Sequence, residues 1–178
     1  MERITLKSLC AALLLLGAGA GQITAQPILR LPSIIGDHMV LQENSNVKIW
    51  GWAEPNKEVL IIPSWSQDTV RTKSTGDTKW LASIQTPAAD NRTYTLTVQT
   101  QQRKIEVKDI LVGQVWLCGG QSNMNYSAAQ GITDMQEELE KPMNPSIRLF
   151  TVTRNSSPWY QEDCDCLLYT SPSPRDRQ

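Results

Sequence analysis

The feature that most constrains the fold is a series of short apolar stretches, separated by turn residues, that runs from residue 28 to residue 107. Many of these stretches alternate apolar and polar residues, which is the pattern of a β-strand with one buried face. No helical period of any length interrupts the series. The spacing therefore predicts a β-sandwich. The predicted strands are residues 39–41, 47–52, 59–62, 69–74, 80–84, 94–98 and 103–107.

A second informative stretch follows the strand series. Residues 112–118 are almost entirely apolar, which predicts a strand covered on both faces. Gly119 and Gly120 come next and permit a sharp turn, so Ser122 is expected just beyond the end of a strand, where α/β sheets bind ligands. A serine there suits a nucleophile. The alternative is a polar turn after a core strand, because Met124 replaces the last glycine of the Gly-x-Ser-x-Gly elbow.

Three blocks of the chain carry a family resemblance. They are Asp-His-Met-Val-Leu-Gln at 37–42, Ile-Trp-Gly-Trp-Ala at 49–53 and Val-Trp-Leu-Cys-Gly-Gly-Gln-Ser-Asn-Met at 115–124. In this order they resemble blocks of the sialate O-acetylesterase family, a branch of the SGNH (GDSL-like) esterases. The resemblance covers about residues 29–160. One departure is Gly119, where the family usually has serine.

The resemblance implies a fold and a domain organisation. It implies a jelly-roll-like β-sandwich at 26–108 and, at 109–163, the first β-α-β part of a flavodoxin-like α/β SGNH esterase domain. The residues agree, since 132–139 have a helical period and 147–152 have the composition of the next strand. The sequence therefore predicts a β-sandwich followed by the start of a parallel α/β sheet.

The resemblance also implies a chemistry. Ser122 is the nucleophile that attacks an acetyl ester, and its backbone N–H is one oxyanion donor. Gly120, Gln121 and Asn123 shape the turn or line the pocket. No metal or cofactor is implied.

The general base is the missing part of this chemistry. In the family it is a downstream histidine, usually oriented by an aspartate. The only histidine in this chain is His38, in the first family-like block, and we interpret His38 and the adjacent Asp37 as structural. We therefore predict little or no esterase activity for the chain as written.

Two functions remain open from the sequence. The first is a fragment of a secreted serine esterase that removes acetyl groups from O-acetylated sialic acid or another acetylated carbohydrate. The second is an accessory or carbohydrate-binding β-sandwich protein without catalysis, in which tryptophans stack on sugars. The tryptophans considered are Trp50, Trp52, Trp65 and Trp80. The alternating strand positions of Trp50 and Trp52 favour the core instead.

The two ends of the chain differ from the middle. Residues 1–25 combine a basic start with a short apolar run, which predicts a signal peptide cleaved after Ala20 or, preferably, Ala25. A secreted or periplasmic protein without stable membrane insertion after signal removal is expected. Residues 164–178 have no period and contain Ser-Pro repeats, which predicts a disordered or non-native tail.

Charge and cysteine content exclude further classes. The formal net charge is -1, so the sequence gives no sign of nucleic-acid binding. The four cysteines do not form a disulfide framework, because Cys10 lies in the signal segment and Cys164 and Cys166 lie in the tail. Cys118 is predicted to be an inert thiol in the core.

Overall fold

The computed structural model describes residues 27–120, 141–142, 144–153, 156–164 and, through their backbone, 166–171. All regular secondary structure in these residues is β-strand. Within the same residues there is no helix of the length and apolarity that crossing a bilayer requires. The strands are β1 Leu29–Arg30, β2 Val40–Gln42, β3 Asn46–Ala53, β4 Glu58–Pro63, β5 Val70–Lys73, β6 Lys79–Gln85, β7 Tyr94–Gln99, β8 Lys104–Gly113, β9 Asn144–Val152 and β10 Cys166–Ser171.

The described strands form three sheets. One has three antiparallel strands in the order β1-β3-β6. A second has five strands in the order β2-β8-β7-β4-β5, in which β2 runs parallel to β8 and the other pairs are antiparallel. The third is the antiparallel pair of β9 and β10. The all-β prediction for the first part of the chain is confirmed, and each of the seven predicted stretches contributes to a strand.

One hydrophobic core is shared by the three-stranded and five-stranded sheets. Alternate residues are buried most regularly in β6, where Trp80, Ala82 and Ile84 face inward. From the five-stranded sheet, Leu96 and Val98 are completely buried in the same cluster. Burying an aliphatic side chain of this size stabilises a fold by roughly 1.5–3 kcal/mol. Packing of the inner faces is therefore what holds the two sheets together.

Gly51 explains which face of β3 points inward. A Cβ atom at this position would lie 2.3 Å from the carbonyl oxygen of Arg30 and 3.0 Å from the ring of Trp80. The buried Trp80 therefore requires glycine opposite it. Because Gly51 faces the core, Trp50 and Trp52 lie on the outer face, and the prediction that they belong to the core is wrong.

The strand predicted at residues 112–118 is only partly present. Strand β8 begins earlier, at Lys104, and ends at Gly113, so only the first two residues of the predicted strand belong to it. The neighbouring β2 ends at Gln42, which pairs with Gly113, and no described strand continues beside residues 114–118. The prediction of a strand covered on both faces is therefore wrong after Gly113. Cys118 is exposed, so the prediction of a core thiol is also wrong.

Among the described residues after residue 140, the regular elements are strands β9 and β10. The strand predicted at 147–152 is confirmed as β9, but its partner is the antiparallel β10 rather than a parallel strand. Within the tail that was predicted to be disordered or non-native, residues 172–178 lie outside the described residues, and residues 166–171 form the extended backbone of β10. Pairing with β9 gives these residues the backbone hydrogen bonds that composition does not predict. The helix predicted at 132–139 lies outside the described residues.

Candidate functional site

Gln42, the last residue of the first family-like block, and the adjacent Glu43 bind residues 113–115. Residues 114–120 lead towards the predicted nucleophile Ser122, and we call them the serine segment. The backbone N–H of Glu43 donates to the carbonyl of Gly113 at 2.9 Å. The N–H of Val115 donates to Oε1 of Gln42 at 2.9 Å, and Nε2 of Gln114 donates to Oε1 of Glu43 at 2.6 Å. Side chains thus replace the strand partner that β2 no longer provides. The direction in which the serine segment leaves the sheet is set by Gln42 and Glu43.

The segment then continues over the surface. Trp116 is 82% exposed and Leu117 is fully exposed, although both are large and apolar. Gly120 is the last described residue of this stretch and is also exposed. Ser122, Gln121 and Asn123 lie outside the described residues, so the roles assigned to them and to Gly120 stay predictions.

Asp37 and His38 make the structural hydrogen bonds predicted for them. Oδ1 of Asp37 accepts from the N–H of Lys108 at 2.7 Å, and the N–H of His38 donates to the carbonyl of Lys108 at 3.0 Å. Nδ1 of His38 lies 2.6 Å from Oδ2 of Asp109. His38 and Asp109 have positive φ angles of 68° and 53°, a conformation that costs energy for residues other than glycine. These contacts offset that cost.

Arg148, which the sequence analysis missed, completes this cluster. Its side chain is only 6% exposed and its Nη1 donates to the carbonyls of His38 at 3.0 Å and Asp109 at 3.1 Å. The same Nη1 lies 3.0 Å from Oδ2 of Asp109, and Nε donates to the carbonyl of Pro145 at 3.1 Å. A buried guanidinium needs such acceptors because it cannot lose its charge. The one sequence signal was a charged residue inside an apolar strand.

The electrostatics of the cluster follow from these bonds. Hydrogen bonds from Arg148, and then from His38, hold the pKa of the Asp109 carboxyl below its ordinary value, although partial burial opposes them. Asp109 is therefore an anion between two nitrogen donors at neutral pH. The cluster ties β9 to the turn before β2 and to β8.

A histidine paired with an aspartate resembles the acid-base half of a hydrolase site, so the position of His38 matters. Strand β8 carries the chain roughly 13 Å from Asp109 to Gly113, and the serine segment begins only beyond that point. His38 thus lies beside the middle of β8, about 13 Å along the strand from the point where the serine segment leaves it. This arrangement favours the structural role of His38 over the role of general base.

A second polar cluster lies on the outer face of the three-stranded sheet. The guanidinium carbon of Arg30 lies 3.6 Å from the ring centroid of Trp52, and Lys79 is the partner of Trp52 on the other side. We call these three residues the outer row. Glu162 and Asp163, which we call the acidic strap, form ion pairs with Lys79 and Arg30 respectively. Among the described residues no cluster of histidine, cysteine and carboxylate side chains is suited to a metal ion.

Comparison with known proteins gives relatives but no family model, since none matches the chain. The chain is 31% identical to mouse sialate O-acetylesterase over 133 residues, which is 70% of this chain and 24% of that protein. It is 31% identical to human sialate O-acetylesterase over 134 residues, or 70% of this chain and 25% of that protein. The chain thus spans about a quarter of the length of these curated relatives.

A solved structure supports the same relationship. A carbohydrate acetylesterase from Xanthomonas citri superimposes with a TM-score of 0.71 at 28% identity, over 81% of this chain and 32% of that chain. The described strands therefore have a counterpart in an acetylesterase. Sequence and structure together confirm the resemblance drawn from the three blocks: this chain is a relative of the sialate O-acetylesterases over most of its own length.

Proposed function

We propose that this chain is part of a carbohydrate O-acetylesterase in which Ser122 is the nucleophile. The observation that carries the proposal is the match to proteins named as sialate O-acetylesterases and to a carbohydrate acetylesterase structure. The hydrogen bond from the N–H of Val115 to Gln42 adds support, because it joins two of the three family-like blocks, and the bond between Gln114 and Glu43 lies beside it. A catalytic serine must be held in a fixed position relative to its substrate, and these hydrogen bonds fix the backbone that leads to it.

The proposed reaction is hydrolysis of an acetyl ester in two steps. Oγ of Ser122 attacks the acetyl carbonyl while a general base takes its proton, and the backbone N–H of Ser122 helps to stabilise the oxyanion. The sugar hydroxyl leaves with a proton, and water then hydrolyses the acetyl-serine to acetate. Gly120, Gln121 and Asn123 shape the turn and line the pocket. His38, the one histidine of the printed sequence, occupies the structural cluster and is therefore not assigned as the general base.

The finer domain assignment belongs to this proposal. The three-stranded and five-stranded sheets are the β-sandwich domain, predicted at 26–108, which β8 extends to Gly113, and the SGNH esterase domain predicted at 109–163 begins after this strand. The sharing of one core by both sheets supports the first assignment. Export by the predicted signal peptide, and a secreted or periplasmic enzyme without membrane insertion, complete the proposal.

The decisive experiment compares the chain as written with any longer protein that a fresh read of its gene beyond the codon for Asp163 yields. Acetate release from O-acetylated N-acetylneuraminic acid and from an O-acetylated neutral sugar is measured for both. We expect activity only from the longer protein, and a loss of about 1,000-fold or more in Ser122→Ala. Ser127→Ala, a nearby serine outside the proposed mechanism, is the matched control. Activity that survives in Ser122→Ala would show that another residue is the nucleophile.

A second function is favoured by one observation. Trp50 and its cross-strand partner Leu81 lie on the outer face of the three-stranded sheet and are 36% and 54% exposed. An exposed indole on the outer face of a sheet suits sugar stacking without catalysis. Sugar binding that persists in a protein with no esterase activity under any condition would support this accessory function.

A further inference from the structure

The outer row is a regular arrangement of two cations around an indole. Arg30 on β1 pairs with Trp52 on β3, and Trp52 pairs with Lys79 on β6. Neighbouring strands lie about 4.8 Å apart, so the three side chains stand side by side on one face. The guanidinium of Arg30 stacks on the indole at 3.6 Å, which orients its N–H groups across the sheet. The row therefore presents fixed donors to an anion.

The chain's own carboxylates show what the outer row accepts. Oδ2 of Asp163 accepts from Arg30 at 2.9 Å, and Oδ1 accepts from the N–H of Ser33 at 2.8 Å. Glu162 accepts from Nζ of Lys79. Hydrogen bonding to Lys79 and, more weakly, to Trp52 lowers the pKa of Glu162, so its carboxyl is ionised at neutral pH. Both residues of the acidic strap thus bind as carboxylates.

The contacts of the acidic strap are exchangeable. The side chains of Arg30 and Lys79 remain 55% and 53% exposed, which leaves room for a second anion. Exposed ion pairs contribute little to stability and are screened by salt. A carboxylate from outside can therefore displace Glu162 and Asp163 once its concentration exceeds the effective concentration of these tethered side chains.

An open aromatic surface adjoins the outer row. Trp50 lies two residues before Trp52 on β3, so the two indoles are about 7 Å apart on the same face. Trp50 and its partner Leu81 form an exposed apolar surface with no carboxylate of the strap bonded to it. A sugar ring whose carboxylate is bound at the outer row reaches Trp50 with one of its apolar faces.

We propose that the outer row and Trp50 form a binding site for an acidic sugar, with the carboxylate between Arg30 and Lys79 and the ring against Trp50. The acidic strap competes for the same donors and reduces the affinity. The choice of a sugar as the ligand rests on the proposed function. The carboxylate requirement rests on the geometry of the outer row alone.

The first test is binding of N-acetylneuraminic acid, which carries a carboxylate and no O-acetyl ester, to the full chain at low salt. Tryptophan fluorescence and protein NMR shifts report binding. We expect the methyl ester of the same sugar to bind at least about fivefold more weakly. Acetate alone is expected to displace the strap without shifting Trp50. Equal binding of acid and ester would overturn the proposal, and so would no binding.

Variants locate the binding. Arg30→Gln and Lys79→Gln are each expected to weaken binding of the acid about fivefold and to leave binding of the ester unchanged. Lys104→Gln, which removes an exposed lysine on β8, is the control and keeps full affinity. Unchanged affinity in both outer-row variants would place the sugar elsewhere and refute the site.

The strap variants test competition. Glu162→Gln together with Asp163→Asn is expected to strengthen binding of the acid, because the donors are then free. Weaker or unchanged binding would refute competition by the strap. The outcome is independent of catalysis, since the probe contains no ester. Acetate release that Ser122→Ala abolishes, in a protein that does not bind the acid, refutes the site alone. Acid binding by the chain as written agrees with its predicted inactivity, and the proposed function is refuted separately, by acetate release that survives in Ser122→Ala.

Discussion

At the scale of single residues, Arg148 makes four polar contacts that a substitution would break. Its guanidinium serves the carbonyls of His38, Asp109 and Pro145 and the carboxylate of Asp109 while almost fully buried. No pattern in the sequence predicts this, because the acceptors come from stretches far apart in the chain. By contrast, the structural roles of Asp37 and His38 were predicted, since the family-like block to which they belong was recognised.

We expect Arg148→Met to lower the free energy of unfolding by about 1.5–3 kcal/mol, because Asp109 and the carbonyls lose their donor. Urea denaturation followed by tryptophan fluorescence measures the change. Arg71→Gln is the matched control, since the Arg71–Glu58 pair is exposed and is expected to contribute no more than about 1 kcal/mol. Equal effects of the two substitutions would contradict the importance of Arg148.

The depressed pKa of Asp109 predicts a pH dependence with a definite sign. A carboxyl whose pKa is lower in the folded state contributes stability above its unfolded pKa of about 3.9, and this contribution is lost as the pH falls through the folded pKa. The stability difference between wild type and Asp109→Asn is therefore expected to be constant at neutral pH and to shrink below about pH 4. If this stability difference grew as the pH fell, the pKa of Asp109 would be raised in the folded state and not lowered.

At the scale of elements, alternation predicted where strands occur but not which face of β3 is buried. Both faces of this strand carry apolar residues, with Ile49 and Ala53 on one face and the two tryptophans on the other. The smaller residues face inward because Trp80 already fills the space across from Gly51. The end of β8 was also not predictable locally, since it depends on where β2 ends.

This packing predicts opposite outcomes for two glycines. Gly51→Ala places a methyl group against the Arg30 carbonyl and the Trp80 ring, and we expect a loss of about 1–3 kcal/mol or more. Gly76→Ala is the control, because nothing lies within 4 Å of its added Cβ atom. Thermal unfolding of both variants measures the difference. Similar melting temperatures would show that β1 and Trp80 move apart without cost.

At the scale of the whole molecule, the β-strands of residues 28–107 were predicted from the alternation of apolar and polar residues. The catalytic role of Ser122 was predicted only from the resemblance to a family. The strand series has a physical signal in every segment, so its fold followed from alternation and turns. Ser122 has no such signal, because a serine after two glycines occurs in many turns. The contact between the first family-like block and the serine segment, through Gln42 and Val115, was not predicted because it joins distant stretches.

This long-range contact gives a prediction for the serine segment. In Gln42→Ala the N–H of Val115 loses its acceptor, so we expect its amide hydrogen exchange to quicken, roughly fivefold or more for the loss of about one hydrogen bond. Gln101→Ala, in the turn between β7 and β8, is the control. Unchanged exchange at Val115 in Gln42→Ala would show that the segment is held by other contacts.

The parallel pairing of β2 with β8 also orders the events of folding. Val40 in β2 pairs with Leu111 in β8. The first family-like block therefore has no strand partner until β3 to β8 have all left the ribosome. An unfinished chain that stops before β8 leaves Met39 and Leu41, both core residues of the finished fold, without their burial site. The last strand of the five-stranded sheet to be synthesised is thus the one that closes it, and the serine segment emerges directly behind that closing strand.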